Sequence, residues 1–273
     1  MTWMTIPPEL KGSCKCEEID PDWPISGPIE ALNLMEEWAL KENDRDSLDG
    51  DVINQGGANH VYRLTHSHHH EWADLRRFGV DEVYRKSRFT KCVSVAWHLA
   101  GRYYYDVGII DELTKLGWPK LKLIDFGAAP WIQAIYYAKK GLDVTITNQY
   151  LESDCNRFGR WLAEKKDVKG IKEYESADPV WHKEKFDIIY AMDVFEHIPP
   201  LPDGTPGWLP YAEALYDCLT PGGIYYASAP FGIGAGTPRP VDTHPNHYTS
   251  PISLSEWCEK KGLKLVGPVW RKL

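Results

Sequence analysis

From residue 120 onward the chain alternates short apolar runs with longer segments whose apolar positions recur at helical spacing. Leu121–Phe126 is a compact apolar run closed by Gly127, and a helical pattern follows from Trp131 to Lys139 until Gly141 ends it. Val144–Thr147 is a β-branched run. Helix 153–166, strand 171–174, strand 186–191, helix 208–219, strand 223–229, helix 253–261 and strand 263–269 complete the pattern. Strands separated by helices of about ten residues predict βαβ units. The expected fold is α/β: a Rossmann-like, mostly parallel sheet with helices on both faces. Ligands of such sheets sit beyond the carboxyl ends of the strands. That rule selects the loops after Phe126, Thr147, Tyr174, Tyr190 and Ala229.

The first part of the chain has a different texture. Residues 1–28, rich in Pro, Gly and charge, read as an extended arm, and Ile29–Leu40 places its apolar residues on roughly one helical face. Residues 44–59 read as a loop. Helical patterns return at about 68–77, 88–100 and 103–116, and Gly117-Trp118-Pro119 stops the last of them. The chain is therefore divided into an N-terminal arm and helical cap over 1–118 and an α/β core over 119–273.

Composition narrows the function. The net charge of -8 and the lack of a basic stripe argue against nucleic acid as a partner. No apolar run approaches the roughly 18 residues of a membrane helix. The first residues lack the apolar stretch of a secretory signal, so no membrane association is expected and a cytoplasmic location is. Six scattered cysteines then read as free thiols. Twelve tryptophans and fifteen tyrosines suit a pocket for a small organic substrate, although packing between helices would use the same rings.

Two stretches carry candidate chemistry. Asp125-Phe126-Gly127-Ala128-Ala129 joins a strand to a helix, an arrangement that offers backbone N–H groups and a positive helix end to a carboxylate or phosphate. It lacks the G-x-G-x-x-G of a nicotinamide site. The second stretch, FDIIYAMDVFEHI at 186–198, is followed by LTPGG at 219–223. Together with the segment from His247 to Leu263 it closely resembles the class I S-adenosylmethionine-dependent methyltransferases, whose fourth strand reads like FDxIxxxDVxEHI and whose next turn reads LxPGG. The resemblance covers residues 120–273.

The resemblance implies S-adenosyl-L-methionine as cofactor and a methyltransferase acting on the oxygen or nitrogen of a small molecule. It places Asp125, Gly127, Ala128 and Ala129 at the methionine end of the cofactor and Asn148 at the ribose. Asp178 falls at the adenine, and Ala191, Met192 and Asp193 fall beside the reaction pocket. It reads Pro221-Gly222-Gly223 as a chain-reversing turn. Three departures stand out. Ala129 and Trp131 replace glycines and crowd the loop. Asn148 replaces a carboxylate, so Asn148→Asp is expected to tighten cofactor binding through charge-assisted hydrogen bonds. The chain ends soon after 263–269, where an antiparallel seventh strand is expected, leaving an edge for the arm or for the partner in a homodimer to cover. These departures keep two alternatives open: a relative that binds the cofactor but catalyses elimination or cyclisation, and a non-catalytic binding subunit.

The histidines suggest a base. His197, His244 and His247 fall on the loops after the fourth and fifth strands, and neutral imidazole suits deprotonation of a hydroxyl or ammonium. Asp193, Glu196 and His197 also have the types of metal ligands, but the pattern is read here without a metal. Within the cap, His69 and His70 of the His66–His70 run, with Arg102, Tyr103 and Tyr104, are the candidate substrate contacts. Solvated helix ends and cap-to-core packing are the competing explanations for these residues.

Overall fold

The computed structural model describes residues 20–25, 30, 34, 37, 38, 102–229, 231 and 248–273, and the side chains of 102–107 and Asp154 are outside that description. The helices expected at 68–77 and 88–100 lie outside the described residues. Helix α1 spans Arg102–Leu116, and strand β1 (Lys122–Phe126), helix α2 (Ile132–Lys139) and strand β2 (Asp143–Asn148) follow it. Next come α3 (Asp154–Lys165), β3 (Lys172–Glu175), β4 (Phe186–Met192), α4 (Leu209–Cys218) and β5 (Leu219–Ser228). Helix α5 (Leu254–Lys260) and strands β6 (Lys264–Val266) and β7 (Val269–Arg271) end the chain.

The seven strands form one sheet in the order β3-β2-β1-β4-β5-β7-β6. Strands β1 to β5 pair in parallel, while β7 is antiparallel to both β5 and β6. The central strands are buried on both faces and carry near-continuous apolar sequence, as doubly covered parallel strands must. One face packs Leu123, Val144, Ile146, Ile188 and Tyr190 against buried residues of α1, α2 and α3. The other packs Ile124, Phe126, Phe186 and Ile189 against Ala212 and Leu215 of α4 and Trp257 of α5.

The end of the chain corrects the expectation of a missing strand. The single strand expected at 263–269 is a hairpin: Gly267, at φ 58°, and Pro268 reverse the chain so that Val266 pairs with Val269. Strand β7 then inserts between β5 and β6, and no edge beside β5 awaits an arm or partner. Arg271 of β7 donates to the buried Glu112 of α1 at 2.7 Å. Hydrogen bonds from Lys115 and Arg271 hold the Glu112 carboxyl below the usual carboxylate range. Pro221–Gly223 also differs from the turn expected there. Helix α4 runs directly into β5, and these residues lie in an irregular part of the strand between the pairs Phe186–Leu219 and Ile188–Ile224.

The described part of the arm packs on helix α2 and the residue that follows it. Trp23 lies with its ring centroid 5.0 Å from that of Tyr136, and Asp20 accepts hydrogen bonds from Tyr136 and Lys140 at 3.0 Å each. Glu30, Leu34, Glu37 and Trp38 are helical, within the helix expected over 29–40. Trp38 meets Phe158 and Trp161 of α3, and Glu30 pairs with Lys166. Cys155, Cys218 and Cys258 are buried and outside any disulfide, and burial pushes the Cys258 thiol up to about 12. It is a packing residue at neutral pH. No described helix is long and apolar enough to cross a membrane.

Candidate active site

The strand order reverses between β1 and β4, which are parallel: successive strands are added outward from β1 to β3 on one side and from β4 to β5 on the other. Such a switch point opens a crevice at the carboxyl edge. Gly127, Asn148, Asp178 and Asp193 lie at or just past the carboxyl ends of β1, β2, β3 and β4. Four strands thus present the expected residues at one edge.

Local chemistry decides how each one is presented. Gly127 has φ 79°, and a Cβ there would lie 2.5 Å from Val194 Cγ2. The glycine therefore permits both a left-handed turn and close contact between the loops after β1 and β4. Its N–H donates to Thr147 O at 2.8 Å, and the Ala128 N–H makes a longer contact of 3.4 Å to the same carbonyl. These two donors extend the pairing of β1 with β2. Ala129 makes no backbone hydrogen bond among the described residues. The first N–H groups of α2 also lack intrahelical acceptors, as at any helix start.

Trp131 precedes α2 in the left-handed region, at φ 71°. Its indole lies against α3, where a Cβ at Gly159 would be 2.5 Å from Trp131 Cγ. The indole Nε1–H donates to Asn156 Oδ1 at 2.9 Å, and Asn148 Nδ2 donates to the same oxygen at 2.6 Å. Asn156 Nδ2 donates in turn to Tyr150 O at 2.7 Å. Asn156 sits in the first turn of α3, where Ser153 caps the helix. The bulky Trp131 is thus built into the wall behind Asn148.

Asp178 accepts from its own loop, through Val180 N to Oδ1 at 2.9 Å. Ala191 and Met192 close β4 beside Ala227 and Ser228 of β5. Asp193 adopts φ 51° and donates its N–H to Ser228 O at 2.8 Å. Aspartate tolerates this region better than most residues, but it is still uncommon there, and such conformations cluster at functional sites. A short helical turn, Phe195–His197, follows. Glu196 is fully buried, and the partly buried His197 places Nε2 3.8 Å from Glu196 Oε1.

The strand order decides the architecture. Outward from β1 it runs 2-3 on one side and 4-5 on the other, and the antiparallel β7 slots between β5 and β6. This is the Rossmann-like, mostly parallel α/β arrangement that the methyltransferase resemblance implies. Asp125 lies at the end of its first strand and is buried, and the D-x-x-E-H segment follows its fourth.

No family model and no curated protein matches the chain. Solved structures with similar features include an O-methyltransferase family protein from Burkholderia thailandensis, at 10% identity over 78% of this chain and 71% of that one, with a TM-score of 0.49. TehB from Haemophilus influenzae aligns at 18% identity over 44% of this chain and 38% of its own, with a TM-score of 0.34. Phosphoethanolamine N-methyltransferase 2 from Haemonchus contortus, in complex with S-adenosyl-L-methionine, aligns at 19% over 56% and 36%, with a TM-score of 0.40. The chain spans less than half the length of the latter two. At these scores the superpositions add nothing to the strand order.

Other expected site residues lie beyond this description. His69, His70, His244 and His247 are outside the described residues, and Arg102, Tyr103 and Tyr104 form the start of α1 without described side chains. Tyr248, the residue after His247, donates its N–H to Glu196 O at 2.7 Å. Among the described residues no group of three His, Cys, Asp or Glu could hold a metal ion. Nothing in the residue pattern points to Val194 against Gly127, to Asn156 behind Asn148, or to Gln133. Gln133 is buried in the first turn of α2 with no hydrogen-bond partner for Nε2 among the described residues.

Proposed function

We propose that the chain is an S-adenosyl-L-methionine-dependent methyltransferase acting on an oxygen or nitrogen of a small organic molecule. The observation that carries this reading is that Asp125, Asn148, Asp178 and Asp193 all fall at or near the carboxyl ends of β1 to β4, the edge at which the β1–β4 switch point opens. The donor and acceptor chemistry fits the cofactor. A methionine carboxylate needs N–H donors, and Ala129 with the first turn of α2 offers them. Ribose hydroxyls need an acceptor, and Asn148 Oδ1 offers one at the end of β2. Asp178 retains a second carboxylate oxygen for an adenine amine.

When bound, the cofactor supplies an electrophilic methyl group on a sulfonium. The protein's own task is then to hold the acceptor in line, about 3 Å from that carbon, and to accept one proton. His197 is the described candidate for the proton. Its Nε2 lies 3.8 Å from Glu196 Oε1 on the loop after β4. His244 and His247 remain candidates on the neighbouring loop, and Arg102, Tyr103, Tyr104, His69 and His70 remain candidates for holding the acceptor. The binding-subunit alternative loses its motive, because β7 fills the position beside β5.

The test is transfer of label. Incubation with a methyl-labelled donor and a panel of small phenols, amines and carboxylic acids is expected to yield one labelled product and S-adenosylhomocysteine. Consumption of the donor with the label released, or found in a product lacking a new methyl group, would favour a non-methylating reaction and overturn the proposal.

A further inference from the structure

The position at the end of β2 was expected to be improved by a negative charge, and the hydrogen bonds around it argue the reverse. Asn148 is 5% exposed and Asn156 is 1% exposed, so neither amide can exchange an unmet hydrogen bond for water cheaply. The orientation of Asn156 is fixed from both ends by groups that cannot exchange roles. An indole N–H can only donate, and it meets Oδ1 of Asn156. A backbone carbonyl can only accept, and Tyr150 O meets Nδ2. The oxygen of Asn156 therefore faces Asn148, which must answer with its own Nδ2–H, as it does at 2.6 Å. What remains of Asn148 is Oδ1, which accepts no hydrogen bond from a described residue.

We infer that Asn156, locked by the Trp131 indole and the Tyr150 carbonyl, is a positioning residue that makes Asn148 a neutral, acceptor-only contact for a ribose hydroxyl. The inference rests on the cofactor reading above. It also gives Trp131 a role beyond bulk: the indole in the altered glycine loop sets the polarity of a contact at the next strand. An aspartate at 148 would turn a carboxylate oxygen toward Asn156 Oδ1, acceptor against acceptor in a buried place. Reversing Asn156 to relieve this would face its amide hydrogens toward the indole N–H and its oxygen toward the Tyr150 carbonyl. The site is therefore matched to an amide at 148.

The experiment compares S-adenosylhomocysteine with its 2′-deoxy and 3′-deoxy analogues by calorimetry, in the wild type and in Asn156→Leu. The wild type is expected to lose roughly 3- to 10-fold in affinity for the analogue lacking the hydroxyl that Oδ1 accepts. In Asn156→Leu that ratio is expected to fall to within about twofold of unity, because Asn148 is then free to turn. A merely structural role would weaken all three ligands alike and leave the ratio intact, which would overturn the inference. If Asn156→Leu fails to fold, Asn148→Asp decides: it is expected to bind S-adenosylhomocysteine roughly tenfold more weakly than the wild type. Tighter binding would overturn the inference. Failure of the wild type to bind any of the three ligands would instead overturn the cofactor reading, and the inference with it.

Discussion

Replacing His197 with Gln is expected to lower turnover by about 10²–10⁴-fold, the usual contribution of a general base. Affinity for the methyl donor should stay nearly unchanged, because the imidazole acts on the acceptor. The side chain is partly buried on the short helical turn after β4, with a fully buried carboxylate beside it. Glutamine keeps the approximate volume and can hydrogen-bond the acceptor, but it cannot take its proton. A fall in kcat with constant donor affinity therefore separates proton transfer from binding. Full activity in His197→Gln would remove this residue from the chemistry. Chelation is the companion measurement, and activity is expected to survive EDTA. Collapse on chelation with recovery in magnesium or zinc would make Asp193, Glu196 and His197 metal ligands.

The second large effect is expected at Gly127. Gly127→Ala should destabilise the fold by about 2–5 kcal/mol, combining the left-handed backbone penalty with overpacking against Val194. The added Cβ would stand 2.5 Å from Val194 Cγ2 at φ 79°. Adding Val194→Ala should recover the overpacking part, about 1–3 kcal/mol, and leave the backbone part. Urea denaturation of the two single variants and the double variant reads the coupling. Strict additivity would show that the two loops do not bear on each other as described. The same variants should weaken donor binding, since the turn joins the carboxyl ends of β1 and β4.

The parallel core was legible because its signals are local. Each strand is a short apolar run, each helix repeats at helical spacing, and Gly127 and Gly141 mark the joints. The observed elements start or stop mostly within a residue or two of those expected. The end of the chain was misread for a local reason as well. The single strand expected over 263–269 runs through Gly267-Pro268, a dipeptide whose chemistry is that of a turn. Each strand it separates is only three residues long, too short for a period to register.

The site was only partly legible, since its physics is tertiary. Motif order brought out Gly127, Asn148, Asp178 and Asp193, and the topology puts them along one edge. It could not reveal that Gly127 and Ala128 spend their N–H groups on Thr147, which shifts the free donors toward Ala129 and α2. Nor could it reveal that Asn148 answers to Asn156. Read alone, Asn148 was a weakened carboxylate. Read with Trp131 and Tyr150 it is the residue its neighbours require, and the expected benefit of Asn148→Asp reverses.

The central claim is that this sheet edge binds an adenosyl sulfonium cofactor, and isothermal titration of the wild-type protein with S-adenosyl-L-methionine and S-adenosylhomocysteine tests it most directly. The account predicts saturable binding of both at one site per chain, with affinity reduced roughly 3- to 10-fold or more in Asp178→Ala and Asn148→Ala. No heat and no thermal stabilisation at millimolar concentrations of either ligand would contradict it.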